Sequence, residues 1–538
     1  MSEPAPGQRG LLDRLERVGN ALPDPSLLFL GGALLVMVLS WLATAVNWEV
    51  QRMDLVPSVD ANGNQVTELV PRVDPETGVP VVERATNLLQ ADEIFWALNS
   101  MVDNFMGFAP LGIVLVGMLG VGVAERTGLI GALLKVFMLI TPIKLLTPAT
   151  VFIGVMSSAA SDAGYVVLPP LAALLFKSVG RSPVVGIAAV FAGVSAGFSA
   201  NLLPTGLDPI LAGYTQEGVN VLDPEYAVNP LCNYYFMIAS TIMATLVGWA
   251  TTAWFVEPRF NRKSPEQGGP EPMDPQLRKE QRVTAAEFRG MNAAGTALFL
   301  VAALLVACIA VPGWPLHGVG ANFDRWVEAI VPILFILFVI PGIVYGVSTG
   351  VVKSSKDVAK LMMDSMASMA PIIVLAFFAA QFIEYFSRSN LGTMLAISGG
   401  EFLATAGLPT LLLLVVFILL TAVFNLFVGS MSAKYALFAP IFVPMFMVAG
   451  ISPELTQVAY RVGDSVTNII TPLNAYLVIV LVFLQKYVSK GGMGTLIAMM
   501  LPYSIAFTIA WCIMLAIWMG LGLPLGVDGH LSYPPAGR

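Results

Sequence analysis

Histidine and cysteine are scarce in this chain, and each scarcity argues against a class of functional site. Only two of the 538 residues are histidine, which leaves almost no material for a multi-histidine metal site or a histidine proton relay. The three cysteines lie in or beside apolar runs, are odd in number and lack metal-ligand spacing, so a disulfide framework is not expected. The sequence therefore predicts no cofactor.

Charged side chains are few as well. They make up 12% of the chain, against about 25% in typical soluble proteins, while hydrophobic residues reach 56%. No basic tract of the kind that binds nucleic acid is present, and no phosphate-binding loop, so ATP-driven pumping would require another subunit. The composition predicts an all-α polytopic protein of the lipid bilayer with no nucleic-acid partner.

The first apolar run, 26–46, is long enough to cross a hydrocarbon core of about 30 Å as a helix. Arg9, Arg14 and Arg17 precede it and place the N-terminal segment, 1–25, in the cytoplasm by the positive-inside rule. The first transmembrane helix therefore leads outward.

Loop charges orient the rest of the chain. The loop 47–93 carries nine acids against three arginines and is predicted to be external, whereas the basic linker 257–290 is predicted to be cytoplasmic. Nine crossings follow from the apolar runs between these points: 26–46, 94–125, 183–213, 233–256, 293–311, 326–347, 362–386, 453–485 and 494–519. Two apolar stretches are left over and are predicted to form re-entrant hairpins near 150–176 and 425–450. An odd number of crossings places the tail 520–538 outside.

A shift of 270 residues aligns the chain with itself. Residues 163–195 then match 433–465 at ten positions, including tyrosines, prolines and a shared Gly-x-Ser-Pro sequence. Because loop charges place the copies on opposite sides, we interpret the halves 94–256 and 291–519 as an inverted-topology repeat. Such repeats are typical of secondary transporters, which bind substrate between the repeats at discontinuous helices.

Each half contributes a polar hairpin tip and an interrupted helix. The first tip carries Ser157, Ser158, Ser161 and Asp162, and the first interruption is "SANLLPTGLDP" at 199–209. The second tip is "GSMSAKY" at 429–435, and the second interruption is "RVGDSVTNIITPLN" at 461–474. Side-chain oxygens and freed carbonyls suit a hard cation such as sodium, whereas freed amides and helix N-termini suit a carboxylate.

The charged residues within these segments allow more than one interpretation. Arg461 and Asp464 are one helical turn apart and are expected to pair, either structurally or with Arg461 receiving an anionic substrate group and Asp464 coupling protons or cations. Asp162 either caps its tip or binds a cation or substrate. Asp208 is either an exposed loop acid or a coupling group. Lys434 is expected to snorkel toward the membrane surface rather than to bind.

Three motifs, "SSAASDAGYVVLPP", "NLLPTGLDPILAG" and "YRVGDSVTNIITPLNAY", resemble the AbgT (p-aminobenzoyl-glutamate transporter) family, and the similarity runs along nearly the whole chain. The resemblance implies a homodimer in the bacterial inner membrane, each protomer with nine transmembrane helices and two re-entrant hairpins. It also implies a proton- or sodium-driven secondary transporter, not an enzyme, that moves p-aminobenzoyl-glutamate or related aromatic amides by alternating access. Some members of the family are reported to export sulfonamide antimetabolites.

The family motifs carry functional roles onto seven positions of this chain: Asp208, Ser432, Tyr435, Pro453, Arg461, Asp464 and Pro472. Tyr435 stands where relatives carry tryptophan, and it is assigned to the aminobenzoyl ring. The repeat adds Asn474 to the substrate-binding set and Asp162, Ser158, Asn201 and Asn468 to the coupling set with Asp208 and Asp464. A sodium ion at the hairpin tips would be held by Asp162, Ser161 and Ser432.

Other functions stay open at this point. The chain is alternatively a sodium-coupled transporter of another small carboxylate, or a passive channel. An intramembrane aspartyl protease would need two carboxylates close enough to share a proton. It is disfavoured because the chain has no Tyr-Asp motif to partner a Gly-x-Gly-Asp type of site.

Overall fold

The computed structural model describes residues 25–51, 53–59, 65–74, 78–160, 163–272, 283–321, 324–428, 430–471, 474–488 and 491–533. Within these ranges the protein is predominantly helical, with two small antiparallel sheets. The predicted all-α membrane class is confirmed. Most of the predicted cytoplasmic segment 1–25 and the last five residues of the predicted tail 520–538 lie outside the described residues.

The N-terminal part consists of one apolar helix and a loop with short strands. Helix α1, Pro25–Ala45, contains no charged residue, as a helix in hydrocarbon requires. The strands are β1 Glu49–Gln51, β2 Met53–Val59, β3 Gln65–Pro71 and β4 Val82–Arg84. Strand β1 pairs with β4, and β2 pairs with β3.

The first half contains the next ten α-helices of the described chain. They are α2 Ala91–Asn99, α3 Met101–Gly107, α4 Ala109–Arg126, α5 Leu129–Ile140, α6 Leu146–Met156, α7 Ala163–Ser178, α8 Pro183–Ala196, α9 Leu207–Asn220, α10 Tyr234–Thr251 and α11 Glu257–Phe260. A π-helical turn, Thr252–Val256, joins α10 to α11. A short 3₁₀ segment, Ile143–Leu145, precedes α6, and another, Ser157–Ala160, follows it. A third, Gly197–Ser199, follows α8.

The second half contains the remaining eleven α-helices of the described chain. Its helices are α12 Ala285–Ala310, α13 Arg325–Glu328, α14 Ile330–Thr349, α15 Ser355–Ser368, α16 Ala370–Arg388, α17 Leu391–Thr405, α18 Thr410–Asn425, α19 Met431–Val448, α20 Pro453–Asn468, α21 Ala475–Gln485 and α22 Met493–Gly520.

Seven helices of the described chain are long and apolar enough to cross a membrane: α1, α10, α12, α14, α16, α19 and α22. All but α19 coincide with predicted crossings. The predicted crossings 183–213 and 453–485 are each divided into two shorter helices, α8 with α9 and α20 with α21. The crossing predicted at 94–125 is divided among α2, α3 and α4.

Two helix pairs carry the predicted hairpin tips. The first pair is α6 and α7, and the second pair is α18 and α19. The second pair begins with α18 at Thr410, well before the predicted range 425–450. Each pair packs on the first arm of the broken helix in its own half, α6 and α7 on α8, and α18 and α19 on α20. The second arms cross over, so that α9 packs on α19 and α21 packs on α7. The halves therefore interlock at the two breaks.

The repeat is visible in details of the backbone. Ser182 and Ser452, which are 270 residues apart, cap α8 and α20 by accepting hydrogen bonds from Val185 N and Leu455 N. The glycines two residues earlier, Gly180 and Gly450, have φ of 74° and 79°, a conformation that only glycine adopts without strain. The close contact of Gly193 with Val151 recurs between Gly463 and Thr421. These local features are therefore repeated in the two halves.

The first arms of the broken helices lie wholly inside the core of the described chain. Every residue of α8 and of α20 is buried. Helix α8 is apolar apart from Ser195, whereas α20 carries Glu454, Gln457, Arg461 and Asp464. Burying charge in the membrane is costly unless each group is paired, so the contacts of α20 indicate where the functional chemistry lies.

Candidate functional site

The two broken helices meet through a pair of serines. Ser199, directly after α8, places its Oγ 2.6 Å from Ser465 Oγ and donates to the backbone oxygen of Arg461 at 2.5 Å. This contact holds the first break against the charged face of α20. It brings Asp208, at the start of α9, within reach of Arg461.

Asp208 and Arg461 form a buried ion pair between the two halves. Arg461 Nη2 donates to Asp208 Oδ1 at 2.8 Å, and both side chains are almost fully buried. Asp208 Oδ2 accepts from Thr205 N at 2.6 Å and from Thr205 Oγ at 3.1 Å. The carboxylate therefore fixes the turn that begins α9, and the interpretation of Asp208 as an exposed loop acid is wrong.

Arg461 keeps part of its guanidinium unused. Its Nη2 also donates to Phe198 O at 3.3 Å. Among the described residues, however, Nε and Nη1 have no hydrogen-bond partner although both are buried. A buried N–H group without an acceptor is costly, and the planar guanidinium suits a carboxylate. Each of these two nitrogens can donate to an incoming anionic or carbonyl oxygen.

Asp464 does not pair with Arg461 as the helical spacing suggested. Its Oδ1 lies 2.5 Å from Lys434 Nζ, and its Oδ2 accepts from Asn468 Nδ2 at 2.8 Å. Lys434 exposes 1% of its side chain, so the expectation that it snorkels to the surface is wrong. The reason is that α19 enters the core at its N-terminal end, where the lysine finds a carboxylate within reach.

Asparagine side chains extend the polar network around Asp464. Asn425, the last residue of α18, accepts a hydrogen bond from Lys434 Nζ and donates to Asp464 O at 2.7 Å and to Asn468 Oδ1 at 3.0 Å. Asn474 caps α21 by accepting from Tyr476 N at 3.0 Å, and it donates to Asn468 O at 3.1 Å. The second break is thus tied to the tip of the second hairpin.

The first tip has a simpler polar contact. Asn201 Nδ2 donates to Ser158 Oγ at 2.7 Å, and Ser158 Oγ donates to Val155 O at 2.9 Å. Both side chains are buried. The predicted ligands Ser161 and Asp162 lie outside the described residues, as does Pro472 in the second break. No group of three or more His, Cys, Asp or Glu side chains in the described ranges is arranged to hold a metal ion.

Tyr435 is buried in an aromatic cluster. Its ring stacks on Tyr460 at a centroid distance of 4.2 Å, and its hydroxyl lies 2.7 Å from Thr215 Oγ. Thr215 also donates to Gln457 Oε1 at 2.7 Å. In this conformation the predicted ring-binding tyrosine supports the contact between α9, α19 and α20.

A cavity of about 170 Å³ lies between the two hairpin tips. Ser158 of the first tip and Ser432 of the second both line it, with Tyr165, Phe198 and Leu207 among the other wall residues. Pro453 is placed apart from this cavity, at the first turn of α20, where proline is favoured because it needs no amide donor. The cavity adjoins Asp208 and Arg461 through Leu207 and Phe198.

Sequence reasoning missed several residues of this network. Thr215, Asn425 and Gln457 each bond to a predicted site residue or its neighbour, and Glu454 is a buried carboxylate whose Oε1 accepts from Tyr226 Oη at 2.9 Å. Asn425 ends a 16-residue helix that is otherwise apolar apart from two threonines. An asparagine at the end of such an apolar run was the sequence feature that could have identified Asn425 as a site residue. Glu454 and Gln457 share a helix face with Arg461 at spacings of seven and four residues.

A model of the AbgT putative transporter family matches residues 10–533. The chain belongs to the AbgT family. It is 33% identical to the p-aminobenzoyl-glutamate transport protein of Escherichia coli (strain K12) over 533 residues, which cover 98% of each chain. These relationships make the protein a membrane transporter of this family and exclude the aspartyl protease hypothesis.

Solved structures of two AbgT-like transporters resemble this one. The YdaH transporter of Alcanivorax borkumensis, described as having an unusual topology, superposes with a TM-score of 0.82 at 39% identity, covering 94% of this chain and all of that one. MtrF of Neisseria gonorrhoeae, described as illuminating a class of antimetabolite efflux pumps, gives a TM-score of 0.84 at 39% identity, covering 98% and 100% of the two chains. The similarity extends over both repeats and both breaks.

Proposed function

We propose that this AbgT-family protein is a secondary active transporter of p-aminobenzoyl-glutamate or a related aromatic amide, driven by a proton or sodium gradient. The observation that carries the proposal is that Nε and Nη1 of Arg461, at the interface of the two repeats, are buried without acceptors among the described residues. A glutamate carboxylate has the charge and the acceptor oxygens that these N–H groups lack. The name of the Escherichia coli relative supplies the substrate class.

The cavity between the tips supplies the second part of the argument. Tyr165 and Phe198 line it, and because one face of Tyr165 is stacked on Tyr476 at a centroid distance of 4.6 Å, a benzoyl ring would pack against Phe198 and the part of Tyr165 that lines the cavity. Tyr435 is held away from it by Tyr460. Ser158 and Ser432 offer hydroxyl groups for an amide or carboxylate. We therefore place the ring beside Tyr165 and Phe198 and the carboxylate at Arg461.

Alternating access follows from the size of this cavity. About 170 Å³ is smaller than the roughly 300–1,000 Å³ of typical ligand pockets. The site must widen to admit substrate, and the hairpin tips that meet across it are the elements whose movement would widen it toward one side at a time. The interlocked second arms, α9 on α19 and α21 on α7, would transmit that movement between halves.

Coupling is assigned to the carboxylates and polar groups at the two breaks. Asp208 and Asp464 are each neutralised by a basic side chain, so binding a proton or a cation at either carboxylate would release its partner. Ser158, Asn201 and Asn468 are the neighbouring polar groups in each half. Asp162 and Ser161 are proposed, with Ser432, as sodium ligands at the tips.

The setting of the transporter is proposed from the sequence. We place it in the bacterial inner membrane as a homodimer without a nucleic-acid partner, with a cytoplasmic N-terminus and an external C-terminus. The loop 47–93 would then be external and the linker 257–290 cytoplasmic.

Transport by purified protein in proteoliposomes tests the proposal. Labelled p-aminobenzoyl-glutamate and independently imposed sodium and pH gradients should give saturable, gradient-dependent flux. Asp464→Asn should lose the gradient dependence, because the amide keeps the shape but not the charge. It also leaves Lys434 without its ion-pair partner, so the melting temperature is measured beside flux. Flux that ignores both gradients, or that never saturates, would favour a passive channel and contradict the proposal.

Export of antimetabolites is a second candidate, favoured by the similarity to MtrF. The same cycle run by the opposite gradient would carry sulfonamides outward, since they share the aminobenzoyl-like ring. Competition by a sulfonamide for p-aminobenzoyl-glutamate flux would support a shared site. Competition instead by simple dicarboxylates would indicate a sodium-coupled transporter of another small carboxylate.

A further inference from the structure

Glu454 is a buried carboxyl group without a role in the transport cycle proposed above. It lies in the first turn of α20 and is 1% exposed. Its Oε1 accepts from Tyr226 Oη at 2.9 Å, but its Oε2 has no hydrogen-bond partner among the described residues. The ion pairs between described residues do not include it. A carboxyl group buried without a cation costs much less with a proton than with a charge, and acids of this kind inside membrane proteins mark proton pathways.

Glu454 begins a line of polar groups along one face of α20. Gln457 and Arg461 follow it at spacings of three and four residues, so the three side chains lie on the same side of the helix. Asn233 lies beside them and donates from Nδ2 to Glu454 O at 3.0 Å. Each of these four side chains keeps a buried nitrogen or oxygen atom without a hydrogen-bond partner among the described residues. Buried polar groups of this kind are commonly bridged by internal water, and we call this line the polar track.

The polar track leads to the ion pair between the two repeats. Cys232 Sγ donates to Gln457 Oε1 at 3.8 Å, in the middle of the track. The charged neighbours of Cys232 are Glu454 at one end and Arg461 with Asp208 at the other. Glu454 and Arg461 are seven residues apart, which is about 10 Å along the helix axis. The buried carboxyl group and the ion pair are therefore the two ends of one polar region.

The outer end of the polar track lies under the C-terminal tail. Ser452 Oγ donates to His530 O at 2.7 Å, and the ring of Tyr226 contacts that of Tyr533 at a centroid distance of 5.7 Å. The tail is proposed to be external. Glu454 would then be next to the outer surface, with the ion pair about two helical turns deeper.

The side chains around Glu454 supply no free positive charge. Those that titrate or carry a charge are Tyr226, Cys232, Tyr435, Asp208, Arg461 and Asp528. Only Arg461 among them is basic, and it is paired with Asp208. Asp528 and the side chain of His530 are exposed at the tail.

The first repeat shows that the fold does not require this polar face. Residues of α8 that lie 270 positions earlier are apolar, with Val184, Ile187 and Phe191 in place of Glu454, Gln457 and Arg461. All three are fully buried. One half thus packs the same helix with apolar side chains, and the polar track of the other half serves something besides packing.

We propose that Glu454 is the external proton site of the transporter. Its Oε2 takes a proton from the external solution and gives it up along the polar track to the carboxylate of Asp208. Neutralised Asp208 then releases Arg461 to the carboxylate of the substrate. The inference rests on the proposed function and deepens it, and it leaves the sodium ligands proposed at the hairpin tips in place because they belong to other elements.

The test is infrared difference spectroscopy of the purified protein in lipid between about pH 5 and about pH 9, above the ordinary range of an exposed glutamate. The native protein should show the C=O band of a protonated carboxyl group that disappears at the higher pH. Glu454→Gln should lack this component because an amide does not titrate. Glu454→Asp should keep a pH-dependent component because a carboxyl group remains at the position.

Glu384→Gln is the matched control. Glu384 is a half-buried glutamate of α16, outside the polar track, and its replacement should leave the component that is missing from Glu454→Gln. Glu454→Gln should melt close to the native protein at neutral pH, because a neutral side chain replaces a neutral one. The proposal is wrong if the component persists in Glu454→Gln, if it remains at about pH 9, or if Glu454→Gln is strongly destabilised.

Transport gives a second measurement, and the infrared result does not depend on it. In proteoliposomes, Glu454→Gln should lose the accumulation of p-aminobenzoyl-glutamate that a pH gradient drives. It should keep the exchange of labelled for unlabelled substrate at equal pH, which requires no net movement of protons. Native flux that no pH gradient drives, or pH-driven accumulation by Glu454→Gln, would contradict the inference. Absence of any native flux would contradict the proposed function alone, and the infrared result would then decide on Glu454.

Discussion

At the scale of single residues, the two buried basic side chains of the site differ in what surrounds them. Lys434 donates to Asn425 Oδ1 and Val428 O and forms an ion pair with Asp464, whereas Arg461 keeps two buried nitrogen atoms without acceptors among the described residues. The Lys434 ammonium is suited to hold a carboxylate in place. A guanidinium with N–H groups left over is suited to bind a ligand.

Arg461→Lys separates these roles. A lysine retains the positive charge opposite Asp208 but lacks the planar edge, so we expect a folded protein whose KM for p-aminobenzoyl-glutamate rises at least about tenfold, equivalent to roughly 1.4 kcal/mol. The measurement is flux against substrate concentration in proteoliposomes, with melting temperature as the check on folding. An unchanged KM would remove Arg461 from the substrate site.

Arg461→Ala provides the comparison. It leaves the buried carboxylate of Asp208 without its ion-pair partner, and breaking a buried pair in this way costs about 3–5 kcal/mol. We expect a large loss of thermal stability in addition to the loss of transport. Only the lysine variant therefore reports on binding alone.

At the scale of elements, the symmetry of the two halves gives matched positions for testing the helix ends. Ser182 and Ser452 each cap a buried helix, and each also donates to a distant backbone oxygen, Gly268 O at 2.6 Å and His530 O at 2.7 Å. The two serines therefore make the same pair of interactions in different sequence contexts.

Replacing either serine by alanine should have nearly the same effect. Loss of an N-cap costs about 1 kcal/mol, and loss of the second hydrogen bond about another 1 kcal/mol. We expect Ser182→Ala and Ser452→Ala to lower the melting temperature by similar amounts, as measured by thermal denaturation in detergent. A large effect at one position and none at the other would show that the halves are not energetically equivalent.

At the scale of the whole molecule, the orientation in the membrane is open to direct measurement. Val79 in the loop after α1 and Glu266 in the linker after α11 are both exposed. In a cysteine-free background, Val79→Cys should react with a membrane-impermeant maleimide added to intact spheroplasts, and Glu266→Cys should react only after lysis. The reverse pattern would invert the proposed topology.

The amino-acid sequence by itself determined the membrane class, the internal repeat and the positions of the two breaks. These features depend on composition, on the length of apolar runs, and on proline and glycine, which act locally. The motifs that carry the family resemblance also lie in continuous stretches. Ser158 was predicted at the first hairpin tip, and Asn201, Asn468 and Asn474 at the breaks; each makes polar contacts at its place.

Only the tertiary structure decided which charges meet. Spacing along α20 suggested that Arg461 pairs with Asp464, but Asp208 comes from the other half and Lys434 from the second hairpin. An ion pair forms where two side chains are brought together and excluded from water, and that depends on how α9 and α19 pack against α20. Helical periodicity places residues on a face of their own helix; the partners that face them come from other elements.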